Sequence, residues 1–149
     1  MRVCLDTNVI IDILGKTQDL PDSYAAFDVS LLRGFEVFVP ATSTTDIAYI
    51  LPRRNLASKQ EAKQLLADLM AVAGILDARQ VDVECALESS MDDYEDALLA
   101  SMALRNRIDL IITRNIRDFE NSPVPAISPR RFVEIYKPSG YEYSSLGIS

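Results

Sequence analysis

At 149 residues, 48% apolar and 25% charged, the chain has the size and balance of a single globular domain with a substantial core. No run approaches the ~18 apolar residues of a membrane span, and no basic-then-apolar leader opens the chain, so a cytoplasmic protein is expected. The net charge is −7 and histidine is absent, which excludes imidazole acid–base catalysis, Ser–His and Cys–His nucleophile pairs, and histidine-bound zinc.

Cys4 and Cys85 show neither metal nor disulfide spacing, and both are expected to be reduced, small core residues. Any catalysis then falls to carboxylates, and the ions that suit carboxylates and water are Mg²⁺ and Mn²⁺.

Residues 2–6 predict a strand and 8–14 a short helix. After a turn at 16–23, residues 24–34 predict an amphipathic helix closed by Gly34, and 35–40 a second strand. Residues 42–54 predict a helix that Pro52 ends or kinks. Residues 58–74 predict another, opened by a Ser58–Glu61 capping box and stopped by Gly74. A third strand is expected at 75–81, helices at 83–90 and 92–107, a buried strand at 109–113, a last strand at 124–129 and a last helix at 129–136. Strands alternating with helices imply a three-layer α/β/α sandwich around a mainly parallel sheet. One domain over 1–136 is expected, with a tail at 137–149 that is loosely ordered or docked on a partner.

Ligands of parallel sheets sit beyond the carboxyl ends of the strands, and four such places carry polar residues. Asp6 follows the first strand; it or Asn8 could simply cap the next helix. After the second strand, Ser43 and Asp46 fit a capping box, a sufficient account of Asp46. Asp92, Asp93 and Glu95 suit the first turn of the long helix. Asp96 falls instead, at about 100° per residue, on the arc of Leu99, Ala100, Ala103 and Leu104. A carboxylate on such a face is costly unless paired, hydrogen-bonded or bound to metal. After the buried strand come Thr113, Arg114 and Asn115, then Asp118 within a turn. Carboxylates brought together on one sheet edge repel one another. A divalent ion relieves the repulsion, activates water and stabilises charge on a phosphodiester, so the pattern points to metal-assisted phosphoryl chemistry.

LDTNVIID, VPATSTTDIAYIL, DYEDALLASMAL and IITRNIRDF, in this order, resemble the PIN domains, metal-dependent nucleases that include the VapC-type toxins. The resemblance runs from Met1 to about residue 136. It implies that Asp6 and Asp96 bind metal, that Asn8 supports Asp6, and that Thr113 orients the site. Asp46 stands where the family usually has Glu, and Asn115 where many members have a fourth Asp; Asp118 is placed to compensate. The function implied is an Mg²⁺- or Mn²⁺-dependent ribonuclease, a toxin with an antitoxin partner and a homodimer. The alternative is a weakened PIN fold serving as an RNA-binding or assembly module.

An acidic nuclease needs local cations, because phosphate affinity comes from Lys and Arg. Arg53/Arg54, Lys59/Lys63, Arg105/Arg107 and Arg130/Arg131 form basic pairs, two of them where helix C-termini favour cations. Arg114 and Arg117 flank the proposed site and are the favoured substrate contacts. Phosphatase and receiver readings fit less well, since Asn8 stands where a phosphatase needs a second Asp and LIITRN carries Arg where a receiver needs Lys.

Overall fold

A computed structural model describes residues 1–143. Its core is a five-stranded, all-parallel sheet of order β3-β2-β1-β4-β5. The strands are β1 (Arg2–Leu5), β2 (Glu36–Pro40), β3 (Gly74–Leu76), β4 (Leu110–Ile112) and β5 (Ala126–Ile127). The helices are α1 (Thr7–Gly15), α2 (Leu20–Leu32), α3 (Ala41–Arg53), α4 (Lys59–Met70), α5 (Gln80–Glu88), α6 (Tyr94–Arg105) and α7 (Pro129–Tyr136).

The period-2 alternation of the strands sorts their side chains onto two faces. Val3, Leu5, Val37, Val39 and Ile112 join a core with α1, α2, α3, α4 and α7. Cys4 and Ile111 point the other way and join Leu76, Ala97, Ala100, Met102 and Phe119. Both faces are therefore covered, which makes a three-layer sandwich. Each fully buried Leu or Ile contributes about 1.5–3 kcal/mol through burial.

The topology decides where a site can form. From β1 the chain moves to β2 and β3 on one side, then crosses to β4 and β5 on the other. The strand order thus reverses between β1 and β4, and the crevice at such a switch point is where parallel sheets hold ligands. Asp6 and Thr113 are the first residues beyond those two strands, and the Asp6 N–H donates to the Ile112 carbonyl at 3.0 Å.

Several boundaries differ from expectation. α2 starts at Leu20 rather than 24, because Pro21 is compatible with a first helical turn, where its missing N–H costs nothing. It ends at Leu32, leaving Gly34 two residues beyond, at φ 68°. α4 keeps its Ser58–Glu61 capping box but ends at Met70. Gly74 opens β3 instead of stopping a helix, and a Cβ there would lie 2.9 Å from the Phe38 ring. β3 and β5 are shorter than expected, α5 begins at Gln80, and a 3₁₀ turn, Ile116–Phe119, follows β4. Cys4 is buried, whereas Cys85 is exposed on α5. Tyr141 and Tyr143 pack against the first core; the rest of the expected tail, 144–149, lies outside the described residues. Among the described residues no helix is long and apolar enough to cross a membrane.

Candidate active site

Asp6 caps α1 and stands in the switch-point crevice, so the capping and site readings of this residue are compatible. Its Oδ1 accepts from the Thr7 N–H at 2.7 Å. Its Oδ2 accepts from the Thr113 hydroxyl at 2.7 Å and the Asn8 amide at 2.8 Å. Only 5% of the residue is exposed. Burial pushes its carboxyl upward; the bonds from Thr113, Thr7 and Asn8 and the Arg114 charge pull back, and the balance stays above the ordinary value.

The capping box expected at Ser43 and Asp46 does not form. α3 begins directly after Pro40, at Ala41, so Ser43 already lies inside the first turn. The Ser43 hydroxyl meets that of Thr7 at 2.7 Å instead, tying α3 to α1. Asp46 is left half-buried with no capping duty, facing Glu95. Burial raises the Glu95 carboxyl, and the charges of Asp46 and Asp6 raise it further.

Asp93 caps α6 through the Asp96 N–H at 3.0 Å, which places Asp96 in the first turn, half-buried and turned toward Asp6. Its carboxyl is raised to about 7, by burial first and then by the charges of Asp6, Asp93, Asp118 and Glu95. The rest of the predicted arc is only partly right. Leu99, Ala100 and Ala103 are buried, but Leu104 is 55% exposed, because that side of α6 rotates beyond the sheet.

Asn115 precedes the 3₁₀ turn and its side chain makes no capping bond, while its N–H donates to the Thr113 hydroxyl at 3.0 Å. Asp118 is exposed on that turn. Asp6, Asn8, Asp96, Asn115 and Asp118 line one cleft of about 770 Å³; Asp46 does not line it and joins the acids through Glu95. Arg114 also lines the cleft, but its guanidinium is engaged with Asp12 at 2.8 Å. Arg117 is exposed and away from the wall.

Sequence reasoning passed over four contributors. Asp12 is buried beneath the cleft; its signal was an acid inside IIDIL, one turn from Asn8 on the same face. Asp93 and Glu95 line the cleft, although helix capping alone accounted for them in the sequence. Arg54, at the end of α3, lines it too and makes no ion pair among the described residues. Nothing local in the sequence separates Arg54 from Arg53.

The donors that converge are carboxylates, amides and hydroxyls, the oxygen set of a hard divalent cation. Among the described residues no three acids form a ready-made chelating group.

A family model described as "PIN domain" matches residues 2–117, and the chain belongs to that family. Solved structures share the fold at low identity. VapBC2 from Rickettsia felis, bound to a promoter DNA fragment, matches with a TM-score of 0.67 and 17% identity, over 86% of this chain and 98% of that one. DNA-bound VapBC from Salmonella typhimurium gives 0.63 and 14%, over 87% and 98%. VapC20 from Mycobacterium tuberculosis, described as a sarcin–ricin loop cleaving toxin, gives 0.58 and 14%, over 73% and 86%. No curated protein matches the sequence.

Proposed function

We propose that this chain is an Mg²⁺- or Mn²⁺-dependent endoribonuclease, the toxin of a toxin–antitoxin pair. The observation that carries the reading is the crowding of Asp6, Glu95, Asp96 and Asp118 around one cleft, where burial first and the neighbouring charges second raise the Asp96 carboxyl to about 7. Acids left in mutual repulsion destabilise a fold unless a cation joins them. When bound, the ion supplies an activated water and charge neutralisation at the scissile phosphate.

In this reading Asp6 and Asp96 hold the ion. Asn8 and Thr113 fix the Asp6 oxygens, each through a bond to Oδ2. Asp46 would assist through Glu95, and Asn115 or Asp118 would complete the set of residues that hold the ion. Arg54 on the cleft wall faces the substrate backbone and Arg117 contacts it only beyond the cleft, which makes affinity fall with salt despite the net charge of −7. RNA is favoured as substrate by the likeness to a toxin described as sarcin–ricin loop cleaving. The likeness to VapBC complexes and to a Klebsiella pneumoniae toxin–antitoxin complex favours an antitoxin that covers the cleft. The chain works as a cytoplasmic homodimer.

Calorimetry with Mn²⁺ on wild type and Asp96→Asn tests the reading. Binding that is lost in the variant, with RNA cleavage abolished by EDTA, is the expected result. No binding by folded wild type would sink it. A second reading, an RNA-binding or assembly module, is favoured by the uncharged Asn115 on the cleft wall and by Asp46, which does not line the cleft. RNA binding unaffected by EDTA and without cleavage would select it.

A further inference from the structure

Asp12 is the most deeply buried acid among the described residues, 1% exposed, and lies at the floor of the cleft. It lies in the last turn of α1, where the helix dipole disfavours a negative charge. An apolar side chain would serve stability there as well or better than a buried ion pair. Four side-chain bonds hold the carboxylate. Oδ1 accepts from the Thr17 hydroxyl at 2.7 Å and Arg114 Nη2 at 3.2 Å. Oδ2 accepts from the Ser23 hydroxyl at 2.7 Å and Arg114 Nε at 2.8 Å. The result is a two-pronged grip on Arg114, which a lysine could not reproduce.

What that grip fixes is the backbone leaving β4. The Arg114 N–H donates to Asn8 Oδ1 at 3.2 Å. With its oxygen so occupied, the Asn8 amide presents its NH₂ to Asp6 Oδ2 at 2.8 Å and to the Thr113 hydroxyl at 3.3 Å. A reversed amide would set an oxygen against the Asp6 carboxylate and leave the Arg114 N–H without this acceptor.

We propose that Asp12 is a positioning residue: by gripping Arg114 it seats that residue's backbone N–H on Asn8 and thereby holds the Asn8 amide on Asp6. Arg114 is then a structural strut of the cleft and not a substrate contact. The consequence for metal rests on the function proposed above, in which Asp6 is a ligand. Partners of that outer kind are typically worth about 10–100-fold in metal affinity.

Two readouts test this on the full chain: the metal-free NMR signals of the Asn8 side-chain amide, assigned by their loss in Asn8→Asp, and Mn²⁺ affinity by calorimetry. Both are measured for wild type, Asp12→Asn, Arg114→Gln and the double variant. In each variant the Asn8 amide signals should collapse toward those of a free amide, with Mn²⁺ affinity down about 10–100-fold. The double variant should lose no more than the worse single one, because the pair acts as a unit. The double variant keeps the test usable if a single variant fails to fold, since removing both partners leaves no buried charge without its counter-charge. Unmoved Asn8 signals in folded Arg114→Gln overturn the proposal. So does unchanged Mn²⁺ affinity with a raised KM for RNA, the signature of a substrate contact. If wild type binds no Mn²⁺, the metal reading fails by itself, and the Asn8 signals alone decide: moved supports the positioning role, unmoved overturns it.

Discussion

Two acidic clusters of this molecule use the same residue type to opposite ends. At the ends of β3 and α5, Asp77 and Asp82 meet Arg105. Its Nη2 lies 2.7 Å from Asp82 Oδ2 and 3.1 Å from Asp77 Oδ1, and Arg79 closes on Asp77 at 2.8 Å. Burial pushes the Asp82 carboxyl up, but the bonds and charge of Arg105 with the Arg79 N–H pull it further down, to below its ordinary value. At the end of β1 and the start of α6, no arginine or lysine bonds Asp6, Glu95 or Asp96 among the described residues, the Arg114 charge acts on Asp6 only from a distance, and all three are raised. Partner and depth both contribute: the two carboxyls are alike in being covered from solvent, but Asp6 lies deeper in the protein while Asp82 has Arg105 against it. An acid matched within the fold is part of the scaffold, and the acids left unmatched at the switch point are the ones the proposed function assigns to an ion.

Neutralising one acid in each cluster should produce opposite results. Asp96→Asn should lower metal-dependent RNA cleavage by at least about 100-fold, as loss of a group stabilising developing charge does. The same variant should melt higher than metal-free wild type at pH 8; a lower melting temperature would break the contrast. Arg105→Met, by contrast, strands Asp82 at 2% exposure and should cost about 3 kcal/mol in urea unfolding. Asp82→Asn combined with Arg105→Met should recover much of that loss.

The pH dependence sharpens the comparison. The folded value for Asp96, about 7, exceeds the ~3.9 of an unfolded chain. Its contribution is therefore full below pH ~4 and lost as pH rises through about 7. Metal-free melts should fall across that window, flatten in Asp96→Asn, and rise again with Mg²⁺ at pH 8. Asp77 and Asp82 are depressed, so their contribution is present above pH ~3.9 and lost as pH falls through their folded values. Arg105→Met should flatten that acid limb and leave the neutral one alone.

A smaller effect is expected from Asn115→Asp, which adds a charge to the cleft wall. Mn²⁺ should bind several-fold more tightly, while the metal-free protein loses a few tenths of a kcal/mol to like-charge repulsion. Weaker Mn²⁺ binding would mean that Asn115 faces substrate rather than the ion. Smallest of all, Leu104→Ala on the exposed side of α6 should change stability by no more than about 0.5 kcal/mol.

Much of this was legible locally. The alternation of strands and helices defined the parallel sandwich, since parallel neighbours need long crossovers. The polar residues after each strand marked the edge where the cleft opens, because strand ends in such sheets converge there. Ser58 and Glu61 named the start of α4, because a capping box is built from four consecutive residues. Asp96 stood out as a charge on an apolar helix face. The PIN motifs were equally local, being runs of adjacent residues.

What remained hidden depends on contacts between residues far apart in the chain. Ser43 reads as a cap until α3 is seen to start at Ala41 and the hydroxyl to meet Thr7. Arg114 reads as a free cation until Asp12, 102 positions away, is found against it. Glu95 reads as helix decoration until Asp46 faces it from another element. Composition and periodicity determined which residues are acidic and which elements carry them. Only the tertiary structure decided which acids have a counter-charge, because Coulomb energy depends on separation in space and local dielectric, and neither is written in sequence spacing.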